Sequence, residues 1–302
     1  MLKNKKILVT GGTGFIGSNL IRRLIEEGAL VYALTRETSN FWRLNDVLEK
    51  VRFNVSDLSD FDGITKLIED IRPDGIFHLG ATTIMQGIIA ESGKAEEVNF
   101  KGTKNLVESM SPNCEFFINT GTFSDISGTD DYAKSKLHAA EFASDFGKKN
   151  GKPVVTLRLF SPYGPYIQKG RLIFNVLIKA MAGEDIEMAS PEIIRDFIYV
   201  DDLVDLYISV AKNAKENPGG IFDAGSGVAT TLQEVADNAL KITGSKSKII
   251  WGSLQKLSYD SGKMRSDVEK TTSRLGWHPK TNLFLGMQKT FKWLKEKLSL
   301  YQ

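Results

Sequence analysis

The sequence predicts an α/β fold, a doubly wound parallel sheet with a smaller C-terminal lobe. Two observations carry that expectation. Short, almost wholly apolar runs alternate with amphipathic stretches through the first half of the chain. Strands that are apolar throughout are buried on both faces, as in a parallel sheet covered by helices on each side. The second observation is a glycine-rich turn directly after the first apolar run, opening the first amphipathic stretch. The 302 residues, 41% hydrophobic and 25% charged, are enough for one large or two modest domains at roughly 150 residues each.

In chain order, the strands are expected at residues 6–10, 30–34, 51–54, 75–79, 115–119 and 154–159. Helical patterns fill the gaps at 14–27, 61–71, 95–110 and 131–149. Beyond them the pattern is less regular: helices at 171–181, 202–214, 232–242, 268–275 and 283–298, with short strands at 197–200 and 221–224. The expected division is a cofactor domain at 1–160 to which 196–225 returns, and a lobe made of 161–195 and 226–302.

Composition removes several chemistries. Cys114 is the single cysteine, so no intramolecular disulfide forms, and His78, His138 and His278 are scattered. Neither a zinc site nor a Cys–His nucleophile is expected. The net charge of +2 gives no electrostatic case for nucleic acid. No apolar run reaches the length of a signal core or a membrane span, so a cytoplasmic protein is expected, where a free thiol is unremarkable.

The turn reads Thr10-Gly11-Gly12-Thr13-Gly14-Phe15-Ile16-Gly17. Glycines allow a tight turn and close backbone approach to a pyrophosphate, and the helix start adds partial positive charge. Gly11, Thr13, Gly14, Phe15, Ile16 and Gly17 are therefore cofactor candidates in a Rossmann-type domain. NAD enzymes place an acid near the end of the second strand to hold the ribose 2′-hydroxyl. Thr35-Arg36 stands there instead. A forked guanidinium suits a 2′-phosphate, so NADP(H) is expected. Asp57 and Leu58 follow the third strand, where the adenine would lie.

Tyr132 and Lys136 share one face of a helix at i and i+4. A lysine ammonium stabilises a phenolate. Tyrosine must shift by roughly 2–3 units from about 10 for proton transfer near neutrality, worth about 3–4 kcal/mol. Thr122 lies just past the expected fifth strand, where parallel sheets present functional groups. Its competitor is Thr120.

These residues, with His78-Leu79-Gly80-Ala81, Asn99, Arg195-Asp196-Phe197, Pro162–Pro165, Ala224–Gly227, Asp267 and Leu275-Gly276-Trp277, occur in an order that resembles the extended short-chain dehydrogenase/reductases, in their nucleotide-sugar epimerase/dehydratase/reductase branch. The resemblance covers nearly the whole chain. It implies that Thr122, Tyr132 and Lys136 are the catalytic triad and that Lys136 also holds the nicotinamide ribose. It implies that Leu79, Gly80 and Ala81 line the cofactor channel, that His78 is structural, and that a homodimer forms through a four-helix bundle of 95–110 and 131–149.

Departures narrow the reaction. Sugar 4,6-dehydratases carry Asp-Glu after the catalytic residue, and this chain has Phe123-Ser124. Fucose-type epimerase/reductases carry a cysteine where Ser124 stands. Two reactions remain: NADPH reduction of a 4-keto-6-deoxy nucleotide sugar, and 4-epimerisation through a transient ketone. Arg36 and the short span between Thr122 and Tyr132 resemble the paratose/abequose synthase group of CDP-sugar 4-ketoreductases. A catalytically silent NADP-binding regulator is a third possibility, against which the intact Thr–Tyr–Lys set argues. For the substrate, Arg195 resembles the family's diphosphate-binding arginine, Ser161 can bond a phosphate, and Arg171 opens a helix in the lobe. Thr82 and Thr83 are candidates for sugar hydroxyls. Lys256 and Arg265 compete as the second cation.

Overall fold

The computed structural model describes residues 2–82, 93–126, 130–255 and 264–301. They form two compact units, one of residues up to 159 together with 206–222, the other of 160–205 together with residues from 223 onward.

The first unit is built on a seven-stranded sheet. Its strands are β1 (Lys6–Thr10), β2 (Leu30–Thr35), β3 (Val51–Val55), β4 (Gly75–His78), β5 (Phe116–Thr122), β6 (Val154–Leu159) and a last strand, Ile221–Ala224. Their spatial order is 3-2-1-4-5-6 followed by that last strand. The pairings from β3 across to β6 are all parallel. The order reverses between β1 and β4, and ligands of such sheets bind beyond the strand ends at that switch point. Ile7, Leu8, Val9, Ile76, Phe77, Phe117 and Ile118 are fully buried, the consequence of covering both faces.

Helices follow the expected spacing. In α1 (Phe15–Glu26), Leu20, Ile21 and Leu24 face inward. In α2 (Phe61–Ile71), Ile64, Ile68 and Ile71 do so, and Asp60 caps the Gly63 amide at 3.1 Å. The single helix expected at 95–110 is instead a π-helical segment, Glu96–Lys101, running into α3 (Gly102–Glu108). The wider turn carries Asn99, whose amide bonds both the N–H and the C=O of Thr82. Such π-helical turns are rare and frequently occur at functional sites. The long α4 (Asp131–Asn150) starts at an Asp130 cap on the Ala133 amide, 2.7 Å, and stops at Gly151 in a left-handed conformation.

The second unit holds α5 (Leu172–Ala182), the first part of α6 (Val200–Asn213), α7 (Leu232–Thr243), α8 (Val268–Leu275) and α9 (Leu283–Lys297). Three short ladders accompany them: Ser161–Tyr163 with Phe197–Tyr199, Ile194–Arg195 with Thr230–Thr231, and Ile186–Met188 with Ile249–Trp251. Of these strands, the sequence reading foresaw only the one at 197–199. Three residues or fewer give too little periodicity to read. Trp277 is buried, its indole donating to the Asp202 carbonyl at 3.1 Å. Among the described residues, no helix is long and apolar enough to cross a membrane.

Candidate active site

The glycine turn is shaped by steric necessity. Gly11 adopts φ +68°, and a Cβ there would stand 2.7 Å from the Leu79 and Gly80 backbone. A Cβ on Gly17 would meet the Gly11 carbonyl oxygen at 2.3 Å. The helix that follows has no side-chain cap, a feature it shares with α3 and α5. Side chains cap α2, α4, α7, α8 and α9, whereas α1 begins at Gly14 with no side-chain cap and no acid in its first turn. Those residues fit a pyrophosphate, because a helix start without its own acceptor is ready for an anion.

The sheet brings other cofactor candidates to this turn. Leu79 and Gly80 flank Gly11, and the Gly80 amide donates to the Thr10 hydroxyl at 2.9 Å. Leu58 is buried, and a Cβ on Gly80 would stand 3.0 Å from it. Thr35 ends β2, and exposed Arg36 follows. The Ser59 amide and hydroxyl hold the Asp57 carboxyl below the usual carboxylate range, and the charge of Arg36 adds to the effect. Ala81 and Thr82 are half-buried, and Thr83 lies outside the described residues.

Thr122 is the last residue of β5 rather than the first beyond it. The strand extends because β6 pairs with it up to Leu159. Thr122 is 8% exposed, and its hydroxyl lies 2.9 Å from that of Ser124. Thr120 is committed elsewhere, sharing a 2.7 Å hydrogen bond with the buried Tyr207 phenol. Tyr132 and Lys136 sit one turn apart in the first half of α4. Tyr132 is half-buried, and Lys136 is 3% exposed. Burial pulls the Lys136 ammonium down to about 8, and the negative charge of Asp125 opposes that pull.

A network of hydrogen bonds seats this helix. Asn99 donates to the Ser135 hydroxyl at 3.0 Å, and Ser135 donates to the Tyr132 carbonyl at 2.8 Å. His78 lies behind it, fully buried, between Thr10 at 2.7 Å and Thr103 at 3.0 Å. Burial, with help from the Lys136 charge, holds its pKa at about 3, so it is a neutral connector. Cys114 is buried, its thiol pushed up to about 12 by desolvation.

Two site-adjacent residues escape a sequence reading. Asp125 lies in the one-turn segment Phe123–Ile126, its side chain wholly buried, and accepts from Arg158 Nε at 2.8 Å. The available signal was Arg158, the only charge in the strand Val-Val-Thr-Leu-Arg-Leu.

In the second unit, Arg195 is half-buried in its short strand, and neighbouring Asp196 is fully buried. Ser161 is half-buried, and its amide donates to the Asp196 carbonyl at 3.0 Å. Arg171 is exposed at the start of α5. Arg265 donates to the Gly227 carbonyl at 2.8 Å, while Lys256 lies outside the described residues. Among the described residues, no cluster of His, Cys, Asp and Glu could hold a metal.

Known proteins resemble this chain in sequence and fold. Residues 7–225 match the NAD dependent epimerase/dehydratase family. The chain is 28% identical to the CDP-abequose synthase of Salmonella muenchen, over 95% of this chain and 97% of that one. It is 24% identical to the UDP-glucose 4-epimerase of Lactobacillus helveticus, over 98% and 99%. Among solved structures, the Bordetella bronchiseptica enzyme WbmF in complex with NAD+ and UDP superposes with a TM-score of 0.84 at 26% identity, covering 99% of this chain and 95% of that one. The chain therefore belongs to the NAD dependent epimerase/dehydratase family, within the extended short-chain dehydrogenases/reductases.

Proposed function

We propose that this protein uses NADPH to reduce the C4 ketone of a 4-keto-6-deoxy nucleoside-diphosphate sugar. The observation that carries the choice is the end of β2, where exposed Arg36 stands in place of an acid. A guanidinium attracts a 2′-phosphate, whereas a carboxylate would repel it. The likeness to a CDP-abequose synthase supports the same reading.

When bound, a reduced nicotinamide would supply a hydride for C4. The protein's own groups manage the charge that then develops on the C4 oxygen. Tyr132 donates its phenolic proton to that oxygen, and Thr122 donates a hydrogen bond to it. The Lys136 ammonium stabilises the resulting phenolate. Gly11, Thr13, Gly14, Phe15, Ile16 and Gly17 would hold the pyrophosphate; Thr35, Arg36, Asp57 and Leu58 the adenosine; Leu79, Gly80, Ala81 and Lys136 the nicotinamide half. Arg195, Ser161 and Arg171 would bind the substrate diphosphate, and Thr82 and Thr83 the sugar. Elimination at C6 is disfavoured because Asp125, the first acid after Thr122, is buried against Arg158. We place the dimer contact on α3, α4 and the π-helical segment. Half-exposed Phe100, Phe142 and Phe146 form an aromatic row there, with centroids 6.1 and 6.2 Å apart.

The likeness to a UDP-glucose 4-epimerase favours a second reading, 4-epimerisation by the same three residues. The purified protein should be incubated with NADPH and CDP-, dTDP-, GDP- and UDP-linked 4-keto-6-deoxy sugars, following absorbance loss. Reduction predicts NADPH consumption with at least one. Interconversion of an unoxidised sugar without any consumption establishes the epimerase instead. A Tyr132→Phe variant is expected to lose roughly a thousandfold in kcat/KM, and full retention would remove the catalytic assignment.

A further inference from the structure

The strand end that bears Thr122 leads into a carboxylate that the proposed chemistry leaves unused. Asp125 has no exposed side-chain surface and is bonded to Arg158 at 2.8 Å. Arg158 is set by register: it pairs with Gly121 in the β5–β6 ladder, one place before the Leu159–Thr122 pair. Helix α4 packs on the turn that carries Asp125, and its Lys136 is buried almost as deeply. A carboxylate in such a place costs several kcal/mol of desolvation, and apolar residues would fill the space at lower cost. A buried carboxylate, paired with a cation on β6, thus lies in a turn on which the helix bearing Lys136 packs.

We propose that Asp125 is a positioning residue of the active site: anchored by Arg158, its negative charge keeps the Lys136 ammonium charged beside Tyr132. The proposal rests on the reading of Tyr132 and Lys136 as the proton-transfer pair. Burial alone depresses the lysine, and Asp125 is the charge that opposes it. The other groups facing Lys136 do not substitute. His78, from the end of β4, is neutral, and Tyr132, one turn earlier, is the group the lysine serves; Arg158, which pairs with Asp125, is itself a cation. The Glu96–His138 pair, at 2.9 Å, lies on the exposed side of α4.

The test needs no substrate. The full-length protein is labelled with [13Cε]lysine and titrated by NMR from pH 6 to 10.5, with the Lys136 signal assigned by its loss in Lys136→Arg. Removing the facing negative charge with Asp125→Asn should lower the Lys136 midpoint, and removing the positive one with Arg158→Gln should raise it, each by about half a unit or more. Both substitutions break the same ion pair, so a merely structural role gives no displacement, or one in the same direction for both. Either result overturns the proposal. If Arg158→Gln does not fold, Asp125→Leu/Arg158→Leu replaces the pair with packed apolar groups. Its midpoint should lie above that of Asp125→Asn, and an equal or lower midpoint overturns the proposal. Opposed displacements without NADPH consumption on any keto-sugar would sink the reductase reading alone.

Discussion

Among the described residues, each unit buries one carboxylate completely, Asp125 in the first and Asp196 in the second, and the two are stabilised in different ways. Asp196 accepts hydrogen bonds from the Ser226 amide and hydroxyl, the Gly227 amide, and the Ser266 amide and hydroxyl, at 2.6–3.0 Å. Among the described residues no cation pairs with it. Asp125 is bonded to a guanidinium and faces an ammonium. Neutral donors spread a charge over fixed dipoles and tie three chain segments together, including the one carrying Arg195. Cations leave the charge acting on its neighbours. The first arrangement builds a scaffold, and the second sets a field.

Substitutions should separate the two. Asp196→Asn turns an acceptor of five hydrogen bonds into a partial donor facing donors. It is expected to cost about 4 kcal/mol in chemical denaturation. Asp125→Asn should cost less, about 1–2 kcal/mol, because the Arg158 side chain is already 23% exposed and can rehydrate. Equal losses would erase the distinction between scaffold and field.

His78 represents a third solution, burial without charge. Its folded pKa, about 3, lies below the 6.5 of the unfolded chain. The unfolded state therefore binds the extra proton between those values. Stability is fully present above pH 6.5 and is lost as pH falls toward 3, by about 3 kcal/mol at pH 4. Denaturation midpoints at pH 7, 5.5 and 4.5 measure this slope, and His78→Gln should flatten it. A slope unchanged in the variant would assign acid sensitivity to other groups.

The smallest effect is expected from a charge that pays no desolvation. Arg36 is exposed, so Arg36→Ala should leave folding unchanged and raise the KM for NADPH about tenfold, with little change for NADH. Equal changes for both cofactors would remove the 2′-phosphate assignment.

Much of this was legible beforehand. The six leading strands were located to within three residues at their ends, and for the inner ones the reason is that a parallel strand buried on both faces leaves a periodicity-free apolar signature; the edge strand β3, with Arg52 and Asn54, is only partly apolar. The glycine turn and the Tyr132–Lys136 spacing were readable because their geometry is local. The sequence favoured Thr122 over Thr120 without showing what Thr120 does instead, since its partner, the buried phenol of Tyr207, lies far along the chain. The π-helical turn at Asn99 was missed for the same reason: its bonding partners, Thr82 and Ser135, belong to other elements.

Local order in the chain thus determined the sheet, its helices, the phosphate-type turn and the helical Tyr–Lys pair. Each depends on periodicity, φ preference or a one-turn spacing. Tertiary structure alone decided that Thr120 shares its hydroxyl with Tyr207 while Thr122 ends β5 beside Ser124. It also decided which carboxylate is scaffold and which carries a field, and that a lone arginine in an apolar strand anchors the latter. Those outcomes depend on burial and on partners distant in sequence, and Coulomb energies take their size from the dielectric that packing creates.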